Sequence, residues 1–191
     1  MKRIGILGPI GSGKSFFSKL FNYPIFNADQ EVSKIYNSNK NLYLKLKKNF
    51  PKMITSYPIK KSEILKLILK NKRNIKKINK VVHAEVNSKL NKFLKKNKKR
   101  KFVILDIPLL LENKLNKKKD VLVFLDANRK DIMLRLRKRK NFNKKIFKIL
   151  SNLQLSREYK KKNSQIIIKN DFRRKTLQKE VKKIINIIKD A

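Results

Sequence analysis

Apolar residues follow two patterns along this chain. The first is the short, nearly continuous run: RIGIL (Arg3 to Leu7), KFVILDI (Lys101 to Ile107), DVLVFLDA (Asp120 to Ala127) and SQIIIKN (Ser164 to Asn170). Such runs predict strands covered on both faces. Pro24 to Phe26 reads as a further short strand ending at Asn27-Ala28-Asp29. The second pattern is helical. It covers Lys14 to Phe21 and dominates from about Gln30 to Asn97, with breaks near Pro51 and at Tyr57-Pro58. Ile64, Leu65, Ile68 and Leu69 form one stripe, and Val82, Val86, Leu90 and Phe93 another, both ascribed to core packing. Arg129 to Lys140 and Lys144 to Leu153 are predicted helices, and Leu177, Val181, Ile184, Ile185 and Ile188 mark a closing amphipathic helix. Strands alternating with helices predict an α/β fold whose parallel sheet has its functional groups at the strands' carboxyl ends.

The length of 191 residues suits one domain with a substantial core. No apolar run reaches membrane-spanning length and no signal-peptide pattern is visible, so a cytoplasmic protein is expected. Cysteine is absent, which excludes disulfides, thiolate catalysis and cysteine zinc sites. Charge changes the picture more. Against 53 Lys+Arg stand 13 Asp+Glu, a net +40. One reading is a nucleic-acid surface built on phosphate neutralisation. The other is compositional drift toward Lys, Asn, Ile and Phe, with no Trp, as A+T-rich coding DNA produces. The lysines are spread throughout rather than gathered in one tail, which favours drift, and no dedicated nucleic-acid partner is expected. The field attracts polyanions in either case, nucleotides and coenzymes included.

The chemistry starts at GPIGSGKS, Gly8 to Ser15, which follows a strand and opens a helix. This is the full phosphate-loop pattern in its required context. Gly8, Gly11 and Gly13 let backbone approach a phosphate that a Cβ would hold off. Amides from about Gly11 through Ser12 to Ser15 converge on the phosphates, aided by the helix N-terminus at Lys14, Ser15 and Phe16. Lys14 bridges β- and γ-oxygens, and Ser15 offers its hydroxyl to Mg²⁺. The bound phosphates are then those of ATP or GTP. A loop of this kind serves kinases, motors and GTPases alike, and the small size argues for a kinase. Asp29, beyond the second strand, is placed either to take a proton from an acceptor hydroxyl or to cap the helix that follows. Asp106 ends an apolar strand, where it could hold Mg²⁺ through water or cap the strand end.

The order GPIGSGKS, Asn27-Ala28-Asp29, His83, DIPLLLEN (Asp106 to Asn113) and VLVFLDA, continuing through Arg135, Arg139, Gln154, Lys160 and Asn170, resembles the dephospho-CoA kinase family over almost the whole chain. The resemblance implies ATP-dependent phosphorylation of the ribose 3′-hydroxyl of dephospho-CoA. It implies a P-loop NTPase three-layer αβα core with a five-stranded parallel sheet, a helical substrate-binding region and a lid. The core would comprise about 1–29, 101–128 and 163–191, the helical region about 30–100 and the lid about 129–162. Carried over by residue, Asp29 becomes the catalytic base, assisted by Lys14 and Arg139. Gly8, Gly11, Ser12, Gly13, Lys14, Ser15, Phe16, Arg135, Arg139 and Asn170 would hold ATP. Asp29, His83, Leu109 and Glu112 would meet the acceptor, and Ser15 and Asp106 the metal.

Several positions depart from the family pattern. Asn27 stands where an acid is usual, Ser33 where a basic residue often lies, Ala84 where proline follows the histidine, and Leu150 where an arginine precedes the glutamine. Loss of that arginine leaves the lid with Lys144, Lys145 or Lys148, which supply charge without a guanidinium fork. A monomer is expected. A nucleoside or nucleotide kinase of the same fold is the nearer alternative, and a nucleic-acid-binding P-loop ATPase the further one.

Overall fold

The computed structural model describes residues 1–140 and 142–190. The expected lid and core spans include Asn141 and Ala191, which lie outside the described residues. In chain order the elements are β1 (Lys2–Leu7), α1 (Lys14–Leu20), β2 (Ile25–Asn27), α2 (Ala28–Ser38), α3 (Lys40–Asn49), α4 (Lys61–Lys70), α5 (Asn74–Lys96), β3 (Phe102–Asp106), β4 (Val121–Ala127), α6 (Arg129–Arg137), α7 (Lys144–Ser151), α8 (Arg157–Lys162), β5 (Ile166–Asn170) and α9 (Arg174–Asp190). The strands form one five-stranded sheet, ordered β2-β3-β1-β4-β5, with every pair parallel. The predicted fold class is therefore the observed one.

Alternation along each strand divides the core in two. Ile4, Ile6, Ile104, Val123 and Leu125 face α1 and α9, packing with Phe17, Phe21, Leu177, Val181, Ile184 and Ile188. Leu7, Leu105, Leu122 and Phe124 face the opposite way, into a larger cluster built by α2 to α5 and α7. Together these layers cover both faces of the central strands, which is why β1, β3 and β4 read as nearly unbroken apolar runs, while edge strand β5 leaves Ile167 and Lys169 exposed.

The helical region is more finely divided than its hydrophobic pattern predicts. Asn39 ends α2 and caps α3, its Oδ1 accepting from Leu42 N at 2.9 Å. In α4 the buried stripe is Ile64, Leu67 and Ile68, while Leu65 is half-buried and Leu69 exposed. The stripe is therefore rotated by part of a turn from the predicted one. In α5, Val82, Val86 and Leu90 are buried as predicted, and Phe93 packs at the margin. The basic helix stops at Arg137, short of Lys140. The short α8, REYKKK, has no apolar period to announce it and is capped by Ser156 Oγ, which accepts from Tyr159 N at 3.1 Å. Among the described residues no helix is long and apolar enough to cross a membrane.

Candidate active site

The carboxyl ends of four strands meet at one edge of the sheet. β1 delivers the glycine loop, β2 delivers Asn27 and Asp29, β3 ends in Asp106, and β5 ends in Asn170. The loop is folded ready for an anion. Gly8, Gly11 and Gly13 have φ of 147°, 87° and 89°, values that side chains other than glycine's rarely tolerate. A Cβ on Gly8 would stand 2.7 Å from both the Leu125 carbonyl oxygen and Ser12 Oγ. Ser12 is fully buried and its N–H donates to the Pro9 carbonyl at 3.2 Å. Asn170 braces the loop from behind: its Nδ2 donates to the Ser12 carbonyl at 2.7 Å, and its Oδ1 accepts from Phe172 N at 2.7 Å. Both ends of this amide are thus committed to the protein.

Lys14 lies along the loop, donating to the carbonyls of Gly8 at 3.0 Å and Pro9 at 2.9 Å. Burial lowers its pKa to about 8, against the pull of Asp106 in the other direction. Asp106 is buried and accepts a hydrogen bond of 2.5 Å from Asn27 Nδ2. The other end of the Asn27 amide caps α2, Oδ1 accepting from Gln30 N at 2.8 Å. A carboxylate at position 27 could make the second contact but not the first. Asn27 is therefore the helix cap, and Asp29 stands free of that duty in the first turn of α2. Asp29 is open to solvent, yet the surrounding walls displace enough water that burial, followed by the charge of Asp106, pushes its carboxyl above the usual range.

Two clefts meet at Asp29. The larger, about 440 Å³, runs from Gly11, Gly13, Lys14, Ser15 and Phe16 across to Arg135 and Arg139. Asp106, Leu109, Leu150 and Gln154 also line it. The smaller, about 200 Å³, lies between α2 and α5 and is lined by Val32, Tyr36, Val82, His83 and Val86, among others. Asp29, Pro108 and Leu109 border both. The Arg135 guanidinium lies 4.4 Å from the centre of the Phe172 ring, a contact that steadies an otherwise exposed side chain. Lys144, Lys145 and Lys148 are not among the residues lining either cleft.

Glu112 lines neither cleft. Its Oε1 pairs with Lys160 Nζ at 2.7 Å, both side chains being buried, and accepts from Leu155 N at 2.9 Å. It ties the segment after β3 to the start of α8. Gln154 makes a parallel tie, Nε2 donating to the Pro108 carbonyl at 3.3 Å. His83 points into the smaller cleft, with Asn113 Nδ2 3.5 Å from its Nε2, and burial lowers its pKa. Sequence reasoning missed Tyr36 and Asn79 in this cleft. A signal existed: Asn79, His83 and Asn87 recur every four residues beside the apolar stripe of α5, placing polar groups along one edge of a buried face.

A glycine phosphate loop, a carboxylate bordering the same cleft and a second cleft beyond it match a P-loop kinase. The chain belongs to the dephospho-CoA kinase family, whose model matches residues 2–176. It is 34% identical over 188 residues to a dephospho-CoA kinase of Wolbachia pipientis wMel, covering 96% of each chain. It is 31% identical over 173 residues to that of Bartonella henselae, covering 88% of each. Among solved structures it superposes on a Thermus thermophilus protein with a TM-score of 0.79 at 24% identity, covering 97% of this chain and 96% of that one. A dephospho-CoA kinase from Campylobacter jejuni gives 0.64 at 22% identity, with 98% and 97% covered. The activity is that of the family: ATP-dependent phosphorylation of dephospho-CoA to coenzyme A, the last step of coenzyme A biosynthesis.

Proposed function

We propose that Asp29 is the general base of this transfer and that the two clefts hold its two substrates. The observation that carries the reading is that Asp29 borders both clefts, facing Lys14 and Ser15 on one side and the α2–α5 pocket on the other. ATP lies in the larger cleft, its phosphates on the loop amides. Lys14 leaves the Gly8 and Pro9 carbonyls for the β- and γ-oxygens, and Arg135 and Arg139 approach from the opposite wall, within a lid formed by α6 to α8. Dephospho-CoA presents its ribose 3′-hydroxyl at Asp29. The carboxylate takes the hydroxyl proton, the 3′-oxygen bonds to the γ-phosphorus, and the bond from that phosphorus to the β,γ-bridging oxygen breaks, releasing ADP. Closing the lid excludes water, the competing acceptor.

The residues suit Mg²⁺, a hard cation that prefers oxygen ligands and retains water. The Ser15 hydroxyl and Asp106 carboxylate supply such donors. Among the described residues no cluster of three or more His, Asp or Glu could hold a metal unaided, so the phosphates and water complete the set. When bound, the ion neutralises charge on the β- and γ-phosphates. Asn170 and Glu112 support the site as braces, the one behind the loop and the other beneath the lid. We place the enzyme in the cytoplasm as a monomer, with its positive field serving no separate nucleic-acid partner.

The test is Asp29→Asn with ATP and dephospho-CoA. Turnover should fall by about 10²- to 10⁴-fold, while an ATP analogue binds with affinity within threefold of the unaltered chain. Near-normal turnover in this variant would remove Asp29 as base. Preference of the unaltered enzyme for a nucleoside over dephospho-CoA would instead overturn the acceptor assignment.

A further inference from the structure

Among the described residues of this lysine-rich chain only two lysines are buried. One is Lys14 of the phosphate loop. The other is Lys160 in α8, which lines neither cleft. Its ammonium meets Glu112 Oε1 at 2.7 Å, with 3% of the lysine side chain and 9% of the glutamate side chain exposed. Such a pair adds little net stability, because taking two charges out of water offsets most of their attraction. What it fixes is geometry. Both charges lie near enough to Lys14 to act on it, in opposite directions.

The pair joins two stretches of chain that wall the clefts. On one side is the segment after β3, where Pro108 and Leu109 border both clefts and Asn113 lines the smaller. On the other is the run into α8, where Leu150, Leu153 and Gln154 line the larger. The bonds from Leu155 N to Glu112 and from Gln154 to the Pro108 carbonyl cross the same seam. Away from it, Arg157 and Lys161 hold α8 to Asp126 near the end of β4, and these two side chains are far more open to solvent than Lys160. The one deeply buried pin of α8 is thus fixed to the wall that both clefts share. We infer that Glu112 and Lys160 are positioning residues that transmit nucleotide binding to the acceptor side. When the run before α8 settles over ATP, the pair carries that movement to Pro108 and Leu109, and each substrate then binds more tightly in the presence of the other. Linkage makes the effect reciprocal. This inference rests on the assignment of the two clefts to ATP and dephospho-CoA above.

Calorimetry on the full chain gives the dissociation constant of dephospho-CoA without nucleotide and with saturating Mg²⁺ and the β,γ-imido analogue of ATP. The unaltered chain should bind dephospho-CoA about tenfold more tightly with the analogue, within the ordinary range of such couplings. Removing one partner of the pair would strand a buried charge. The test variant is therefore the double substitution Glu112→Met with Lys160→Met, which fills the space and removes opposite charges together. In it the ratio of the two constants should fall below about twofold. Asp126→Asn, which loosens α8 on its other side, should leave the ratio as it was. The ratio is internal to each protein, so a smaller folded fraction does not affect it. A ratio of one or less in the unaltered chain, an intact ratio in the double variant, or an equal drop in Asp126→Asn would each overturn the role of the pair and leave the substrate assignments standing. If the unaltered chain does not bind dephospho-CoA at all, those assignments fail and the coupling falls with them.

Discussion

Position 29 and position 14 are tuned against each other by the same lack of water. Burial and the neighbouring Asp106 push the Asp29 carboxyl up, and burial brings the Lys14 ammonium down to about 8. With Asp29 as the proposed base, the working form is the carboxylate, and kcat/KM should fall as pH drops through its raised pKa, about tenfold per unit on the acid side. Asp29→Asn should erase that limb along with most of the rate. For Lys14 the useful form is the ammonium, present below about pH 8 and lost above it in the nucleotide-free protein. Phosphate oxygens favour the charged form, so ATP-analogue binding near pH 8 should take up protons, and affinity should decline as pH rises further. Calorimetry in two buffers of different ionisation heat reads the uptake directly. Identical apparent heats in both buffers at pH 8 would contradict it. The Asn27 amide shows the same economy in another form: one end caps α2 and the other holds Asp106. That double role was not legible in the sequence, because it depends on the parallel register that sets Asn27 beside Asp106.

Glu63 does the comparable work for a whole element. Its two carboxylate oxygens accept from Thr55 N and Oγ1, Ser56 N and Oγ, and Lys60 N, all within 2.8–3.2 Å. They fasten the turn around Pro58 to the start of α4. Burial alone would raise its pKa, but the hydrogen bonds from Thr55, Ser56 and Lys60 overcome it and hold the carboxyl at about 2. The folded value is depressed, so the stabilisation is complete above the ordinary 4.5 and is lost as pH falls toward about 2. Glu63→Gln should lower the thermal midpoint at pH 7 by about 2–4 °C, and the difference should shrink as pH falls below 4.5. A constant difference from pH 7 to pH 3 would mean that ionisation is irrelevant. The sequence showed the breaks at Pro51 and Tyr57-Pro58 but not this clamp, whose partners come from outside the helix. The strands were legible because burial on both faces of the central ones leaves mostly apolar residues in them. The rotation of the α4 stripe was not: Leu65, Leu67 and Leu69 are chemically alike, and only packing against α5 and α7 chooses among them. The glycine loop was legible to the residue, since its backbone angles demand glycine. The smaller cleft was not, because three separate stretches of chain have to meet to form it.

Across the whole molecule five of the scarce acidic groups sit in buried pairs, at the foot of α8 or in the larger cleft, while others, such as Asp131, Glu158 and Asp171, are exposed. Asp120 is buried against Arg3 at 2.9 Å, Glu112 against Lys160, and Asp126 holds both Arg157 and Lys161 at the foot of α8. Asp29 and Asp106 line the larger cleft together with Lys14. The remaining lysines lie largely on exposed helix faces, where a net +40 repels itself. Two consequences pull in opposite directions as salt is added. Screening shortens the reach of exposed charge to about 8–10 Å near 0.1–0.15 M, so mutual repulsion weakens and the thermal midpoint should rise steadily from low to moderate NaCl. The same screening weakens attraction of ATP and dephospho-CoA, so KM for both should rise over that interval. The buried pairs are shielded from the ions, and the chemical step follows docking, so kcat should change little. Unfolding scans and initial rates on one salt series read all three quantities. A midpoint that falls with salt would mean that surface ion pairs, rather than repulsion among lysines, dominate the exposed electrostatics.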